Sequence, residues 1–245
     1  MQRILLHLSK VILLAATLFM MSCGNTQISE QLNNSKATTE VLDVTADFDK
    51  IRVSQNIEVE LTQGPVKSFD IIASDEARKN LEIEVENGEV SIGFLKNSMF
   101  RNSSKVKIII TNPNISSLST SSSAKIIGMN TIKSKNLTLK SSSGSEMELS
   151  VDTDEVEITC GSGSSIEIKG NSKIVTANSS SGSSIEAQNL AAASAIAKSS
   201  SGSSIELGLI QSLDAISSSG SSIEYKGSPQ IIQQKATSGS SISSN

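Results

Sequence analysis

The sequence predicts an all-β chain: a single-stranded parallel β-helix, a solenoid built from coils of about 19 residues. Three observations predict it. The string Ser-Gly-Ser-Ser-Ile-Glu recurs with its glycine at Gly163, Gly182, Gly202 and Gly220, with variants at Gly144 and Gly239, at spacings of 19, 19, 20, 18 and 19 residues. Apolar residues keep phase with that glycine. Three residues after it stand Met147, Ile166, Ile185, Ile205, Ile223 and Ile242, and seven before it Leu137, Val156, Val175, Ala195, Leu213 and Ile232. Within each run the apolar positions differ by two, which is the period of a strand and not of a helix. Thirdly, Tyr225 is the single aromatic side chain after residue 115, so this half has no bulky groups with which to fill a globular core.

Stacking supplies the burial instead. Coils about 4.8 Å apart place each side chain on its copy in the next coil, giving continuous aliphatic ladders that one unit could not bury alone. Each unit then reads as two short strands meeting at a Ser-Gly corner, where glycine tolerates the sharp backbone bend. A degenerate copy at Ser122-Ser123-Ala124-Lys125-Ile126 extends the count to seven turns. A Ser/Gly-rich stretch can also be a flexible linker, but linkers carry no aliphatic phase. The absence of a six-residue aliphatic period favours the right-handed form.

The chain divides into three parts. Residues 1–22 have the organisation of a secretory signal, with Arg3 and Lys10 before and at the start of an apolar run from Val11 to Met21 that is too short to span a bilayer. The run ends at Met20-Met21-Ser22-Cys23-Gly24, which resembles a lipobox. Cleavage before Cys23 would leave it as the lipid attachment site, holding the protein to a membrane through several acyl chains. Simple secretory cleavage, with Cys23 an incidental thiol, is the other reading. Residues 23–39 are mostly polar and are expected to be a disordered tether. Residues 40–245 form the β-helix, with irregular strands over 40–115 and the phased repeats over 116–245.

In residues 40–115 alternation is strong at Ile51-Arg-Val53, Ile57-Glu-Val59-Glu-Leu61, Leu81-Glu-Ile83-Glu-Val85, Val90-Ser-Ile92 and Val106-Lys-Ile108, with turn signals at Gln63-Gly64-Pro65 and Asn87-Gly88. These strands are expected to cap one end of the stack. Ser74 to Asn80 reads as a helical turn, and Gly93 to Ser104 as an exposed loop.

Composition excludes much chemistry. Without residues 1–22 the chain loses Arg3, Lys10 and its one histidine, His7, leaving 19 basic against 25 acidic side chains. Without an imidazole there is no Ser-His-Asp triad, no Cys-His pair and no histidine-bound zinc. The acidic balance argues against nucleic acid as a partner. Cys160 is the one cysteine left besides Cys23, so no disulfide staples the stack. It falls three residues before a repeat glycine, where other coils have Ser141, Ser179, Ser199, Ser217 and Ala236, and reads as a small packed residue.

Several motifs in fixed order carry a resemblance. Phe48-Asp-Lys-Ile51-Arg-Val53, Ile57-Glu-Val59-Glu-Leu61-Thr-Gln-Gly64, Asn87-Gly88-Glu-Val90-Ser-Ile92, Val106-Lys-Ile108 with Pro113-Asn-Ile115, and the Ser-Gly-Ser-Ser units resemble the putative auto-transporter adhesin, head GIN domain family (a DUF2807-type domain), common in Bacteroidetes. The resemblance covers about residues 45 to 235. It implies a β-helical fold in an exported protein, often a lipoprotein, and supplies no catalytic residues; with the lipobox, the expected location is the outer membrane, as a lipoprotein at the cell surface or on the periplasmic face.

One row of side chains is a candidate site. Glu148, Glu167, Glu186, Glu206 and Glu224 stand four residues after successive glycines at outward parity. Neighbouring carboxylates about 5 Å apart repel by roughly 0.8 kcal/mol in bulk water, which invites a counter-charge. Lys169 and Lys226 are near enough in sequence to offset part of the row as a plain solvated face. The sharper reading is a groove for a cation such as Ca²⁺, or for a basic partner. A polysaccharide-active enzyme would need two carboxylates of different pKa in a cleft with aromatic platforms, and equivalent glutamates beside one tyrosine do not provide that asymmetry.

The functional expectation is therefore a non-enzymatic binding or adhesin-like envelope module whose partner is a glycan or envelope protein. The alternative is a structural envelope scaffold with no ligand. An exposed patch around Phe94, Met99, Phe100 and Tyr225 would favour binding. The last coil, ending at Ser243-Ser244-Asn245 without an evident cap, raises end-to-end association between copies.

Overall fold

Alternating apolar residues, glycine corners and few aromatics yield the expected solenoid of about seven turns in the computed structural model, which describes residues 37–42, 46–95 and 105–245. The expected signal 1–22, Cys23, Met99 and Phe100 lie outside these residues. So does the tether, except at its end, where strand β1 (Thr38–Val41) begins two residues before the expected boundary at residue 40.

The repeat half runs through β8 (Ser117–Ser121), β9 (Lys125–Ser141), β10 (Glu146–Cys160), β11 (Ser165–Ser179), β12 (Ser184–Ser199), β13 (Ser204–Ser217), β14 (Ser222–Lys226), β15 (Ile231–Ala236) and β16 (Ser241–Ser244). Each pairs in parallel with the equivalent stretch one coil away. Met147 lies against Ile126 and Ile166, and Ile185 against Ile166 and Ile205. That ladder, from Ile126 to Ile223, is at most 1% exposed throughout, so every rung contributes the burial of a full aliphatic side chain, about 1.5–3 kcal/mol.

At the Ser-Gly corner two consecutive residues adopt left-handed backbone, for example Ser162 at φ 53° with Gly163 at φ 68°, and Ser181 at φ 57° with Gly182 at φ 68°. Glycine takes the second position without steric cost, whereas serine takes the first against a preference for right-handed backbone. The following serine offsets that cost. Ser183 Oγ accepts from the Ser180 N–H at 3.1 Å and lies 2.8 Å from the carbonyls of Ser180 and Cys160, closing the corner on itself and on the coil below. Ser203 and Ser221 repeat the arrangement, Ser164 closes its own corner through Gly161, and all of them are buried.

The same corner extends upstream of the phased repeat. Strands β2 (Lys50–Ser54) and β3 (Ile57–Gln63) turn at Gln55 and Asn56, both left-handed at φ 63° and 58°. They pair in parallel with β8 and β9. Beyond them lie β6 (Glu89–Phe94) on β2 and β7 (Val106–Asn112) on β3. Antiparallel strands then seal this end: β4 (Ser68–Ala73) on β7, β1 on β4, and β5 (Leu81–Glu86) on β6 through the Asn87-Gly88 turn. The expected helical turn is α1 (Asp75–Asn80), capped by Ser74, whose Oγ accepts from Ala77 N–H at 3.2 Å. Arg78 on α1 donates to the Thr38 carbonyl at 2.6 Å and lies 3.1 Å from Glu40, fastening β1 across the end.

At the opposite end the ladders turn polar. Gln234 and Ser244 occupy inward columns that hold Ala215 and Tyr225 one coil earlier, and both are exposed. Among the described residues, no helix is long and apolar enough to cross a membrane.

Candidate functional site

Strand β10 to β14 register brings Glu148, Glu167, Glu186, Glu206 and Glu224 into one line, each carboxylate-bearing residue directly opposite the next. The line is a row and not a cage. Among the described residues, no three His, Cys, Asp or Glu side chains converge to hold a metal ion. The counter-charge also differs from expectation. Lys125, one coil below, lies by Glu148 and 3.3 Å from Glu146, and its hydrogen bond to Glu148 raises the ammonium pKa above its ordinary value against an opposing effect of burial. Lys226 turns away and donates to the Gln188 carbonyl at 3.2 Å. Among the described residues, Lys169 makes no ion pair.

Cys160 sits where the repeat places it, between Ser141 and Ser179. Its Sγ is 3.1 Å from Ser164 Oγ. Burial pushes the thiol pKa up, with hydrogen bonds from Ser164 and Ser183 opposing, so this is a packed thiol and not an activated one.

The aromatic patch does not form around Tyr225. That ring is 8% exposed in the core, and its hydroxyl accepts from Gln234 Nε2 at 2.9 Å. Phe94 packs against the core from β6, near the other end of the stack. An inward-parity column explains both, since a ring at such a position fills the ladder before it can face a ligand.

The surface that departs from the repeat is the second corner of each coil, between the glutamate row and the next inward small residue. There the successive coils carry Lys133-Ser134-Lys135, Asp152-Thr153-Asp154, Asn171-Ser172-Lys173, Ala191-Ala192-Ala193 and Leu209-Ile210-Gln211. All the changes in coil length fall here: the register shifts lie between Glu148 and Ser150, Glu167 and Lys169, Ala187 and Ala192, and Leu207 and Leu209. The corner forms two continuous shallow grooves that share Asn171 and Ser172. One, of about 580 Å³, is charged, with Lys133, Lys135, Asp152 and Lys173 around it. The other, of about 450 Å³, is lined by the alanines and by Leu209, which is 63% exposed.

Side-chain contacts between coils and one close backbone approach hold this corner in shape. Thr153 Oγ1 donates to Ser172 Oγ at 3.0 Å beneath the charged groove. Lys173 and Asp154 pair at 2.6 Å across the coils, which lowers the Asp154 carboxyl pKa. Gly170 has φ 115°, and a Cβ there would stand 2.1 Å from the Val151 carbonyl oxygen. Sequence reasoning did not single out this corner. Its signal was the change of spacing to 20 and then 18 residues, which marks where the coil can vary without disturbing the ladders.

The family model described as putative auto-transporter adhesin, head GIN domain, matches residues 47–229. Among solved structures, the chain is similar to a putative adhesin from Bacteroides fragilis NCTC 9343, with a TM-score of 0.81, 23% identity, and coverage of 86% of this chain and 98% of that one. It is also similar to a putative lipid binding protein from Parabacteroides distasonis ATCC 8503, with a TM-score of 0.70, 20% identity and coverage of 87% and 98%. A putative adhesin from the same strain has a TM-score of 0.71, 19% identity and coverage of 86% and 98%. At these identities the likeness is one of fold. The comparison with curated proteins gives no match. The chain belongs to the putative auto-transporter adhesin, head GIN domain family.

Proposed function

We propose that the chain is an exported, lipid-anchored and non-enzymatic binding module of the cell envelope, adhesin-like, which presents its variable corner to a glycan or an envelope protein. The observation that carries this reading is a corner at which coil length and side chains vary together. On the glutamate flank each coil repeats the same outward carboxylate, and a surface of identical rungs offers a ligand no unique place to bind. At the second corner five coils carry five different sets of side chains over a rigid ladder. A site built on strands and held by packing is the arrangement that gives specificity without reordering on binding.

Several findings support a binding role over catalysis. The family and the similar structures are described as adhesins or binding proteins. The buried Cys160 thiol has a raised pKa, and the glutamates of the row stand in one line at equivalent positions of the coils, not as a facing pair of carboxylates in a cleft of the kind that glycoside hydrolysis needs. An anchor at Cys23 would leave the corner free to face outward, since it lies on the flank of the stack.

The test is retention of cells expressing the full-length chain on an array of immobilised glycans and envelope proteins. Lys133→Ser with Lys135→Ser and Leu209→Ser is expected to lower retention at least roughly tenfold, as loss of central contacts does in other interfaces. Glu186→Gln with Glu206→Gln is expected to leave it unchanged. Equal retention of the corner variant and the parent chain would remove the corner from the binding surface.

A further inference from the structure

We infer that the flank between the variable corner and the next Ser-Gly corner is a docking surface for a second copy of this chain, packed face to face about a two-fold axis along a diagonal of isoleucines. Ile174, Ile196 and Ile216 project outward there and are 40%, 39% and 39% exposed. In register, Thr176 lies opposite Ile196 and Lys198 opposite Ile216. Each isoleucine is therefore one coil up and two residues along from the one before. With about 4.8 Å per coil and about 6.6 Å per two residues, the three form a straight line in steps of about 8 Å.

Charges flank this line on both sides: Glu155 opposite Ile174 and Lys235 opposite Ile216 at its two ends, and two more beside its middle. Asp214 lies opposite Ile196, above the diagonal, and Lys198 opposite Ile216, below it. Both are exposed, and among the described residues neither forms an ion pair. A two-fold axis along the diagonal places each isoleucine on its own copy. It also carries Asp214 of each chain to within one residue's breadth of Lys198 of the other, twice over. A two-fold axis perpendicular to the diagonal sets Asp214 near Ser194 and Lys198 near Thr176, which pairs no charges. The charge pattern thus selects one symmetric arrangement, and isologous contact is the commonest way in which identical chains associate.

Strand spacing fixes the geometry further. The diagonal makes an angle of about 36° with the strands, so the strands of the two copies cross at about 70°, toward the orthogonal class of sheet packing. The patch covers on the order of 400–500 Å² on each copy, below the ~800 Å² per partner of a stable interface. The contact is consequently weak and dependent on local concentration. An aliphatic line with charges of both signs beside it fits a copy of itself better than a lipid surface, because nothing on a uniform lipid face matches the alternation.

Thiol cross-linking on cells expressing the full-length chain tests the arrangement directly. Sheets packed face to face stand about 10 Å apart, too far for a disulfide, so a short bismaleimide is the probe. Ile196→Cys lies on the axis and is expected to give a product of twice the chain mass, at least roughly fivefold above Glu186→Cys on the other flank. In the Ile196→Cys background, Lys198→Asp alone or Asp214→Lys alone is expected to lower the yield roughly tenfold by setting like charges together. The double reversal is expected to restore it. Equal yields from Ile196→Cys and Glu186→Cys, or no recovery in the double reversal, would overturn the inference.

Discussion

Cys160 shows how far a single residue's surroundings follow from its place in a column. Four other coils put a buried serine there, and the thiol takes the same contact with the serine four residues on, at the same depth. Its role was legible in the sequence because a column is set by register alone. The raised thiol pKa gives the fold a defined pH response. The folded state favours the protonated thiol, so this contribution is fully present below the ordinary value of 9.0 and is lost as pH rises above it. Cys160 is therefore expected to resist a thiol reagent at neutral pH until the chain is unfolded. Cys160→Ser, which restores the residue of the neighbouring coils, is expected to change stability by less than about 1 kcal/mol; rapid labelling of the folded chain would contradict this. Tyr225 was less legible. Its parity placed it inward, yet it was also a candidate for an exposed patch, and the hydrogen bond from Gln234 to its hydroxyl comes from the next coil.

At the level of elements, the helical turn at Ser74 and the hairpin at Asn87-Gly88 were legible because a capping serine and an Asn-Gly pair are local signals. The corner at Gln55-Asn56 was not. It has the left-handed backbone of the Ser-Gly corner without its sequence, and only pairing with Ser122 reveals the equivalence. The variable corner escaped notice for a related reason, since a search for repeats rewards what recurs. The two kinds of corner respond differently to a methyl group. At Gly182 there is open space around an added Cβ and the cost is that of left-handed backbone alone, about 1 kcal/mol. At Gly170 the methyl also meets the Val151 carbonyl, so Gly170→Ala is expected to destabilise by roughly 2–3 kcal/mol. Equal shifts in the thermal midpoint for the two variants would contradict the account of this corner.

For the molecule as a whole, the ends differ as sharply as the flanks. Antiparallel strands and Arg78 close the N-terminal end, whereas the ladders at the other end run out into Gln234 and Ser244. The stack and its aliphatic core were legible from periodicity, because every rung repeats the same physical requirement. The function was not, since a ligand is recognised by the side chains that break the period. Protease accessibility on intact cells expressing the full-length chain, with and without Cys23→Ala, tests the proposed surface-exposed module most directly. The account predicts that the native chain is cleaved on intact cells, and that Cys23→Ala releases it from the surface. Protection until the outer membrane is opened would contradict it, leaving a periplasmic scaffold as the better reading.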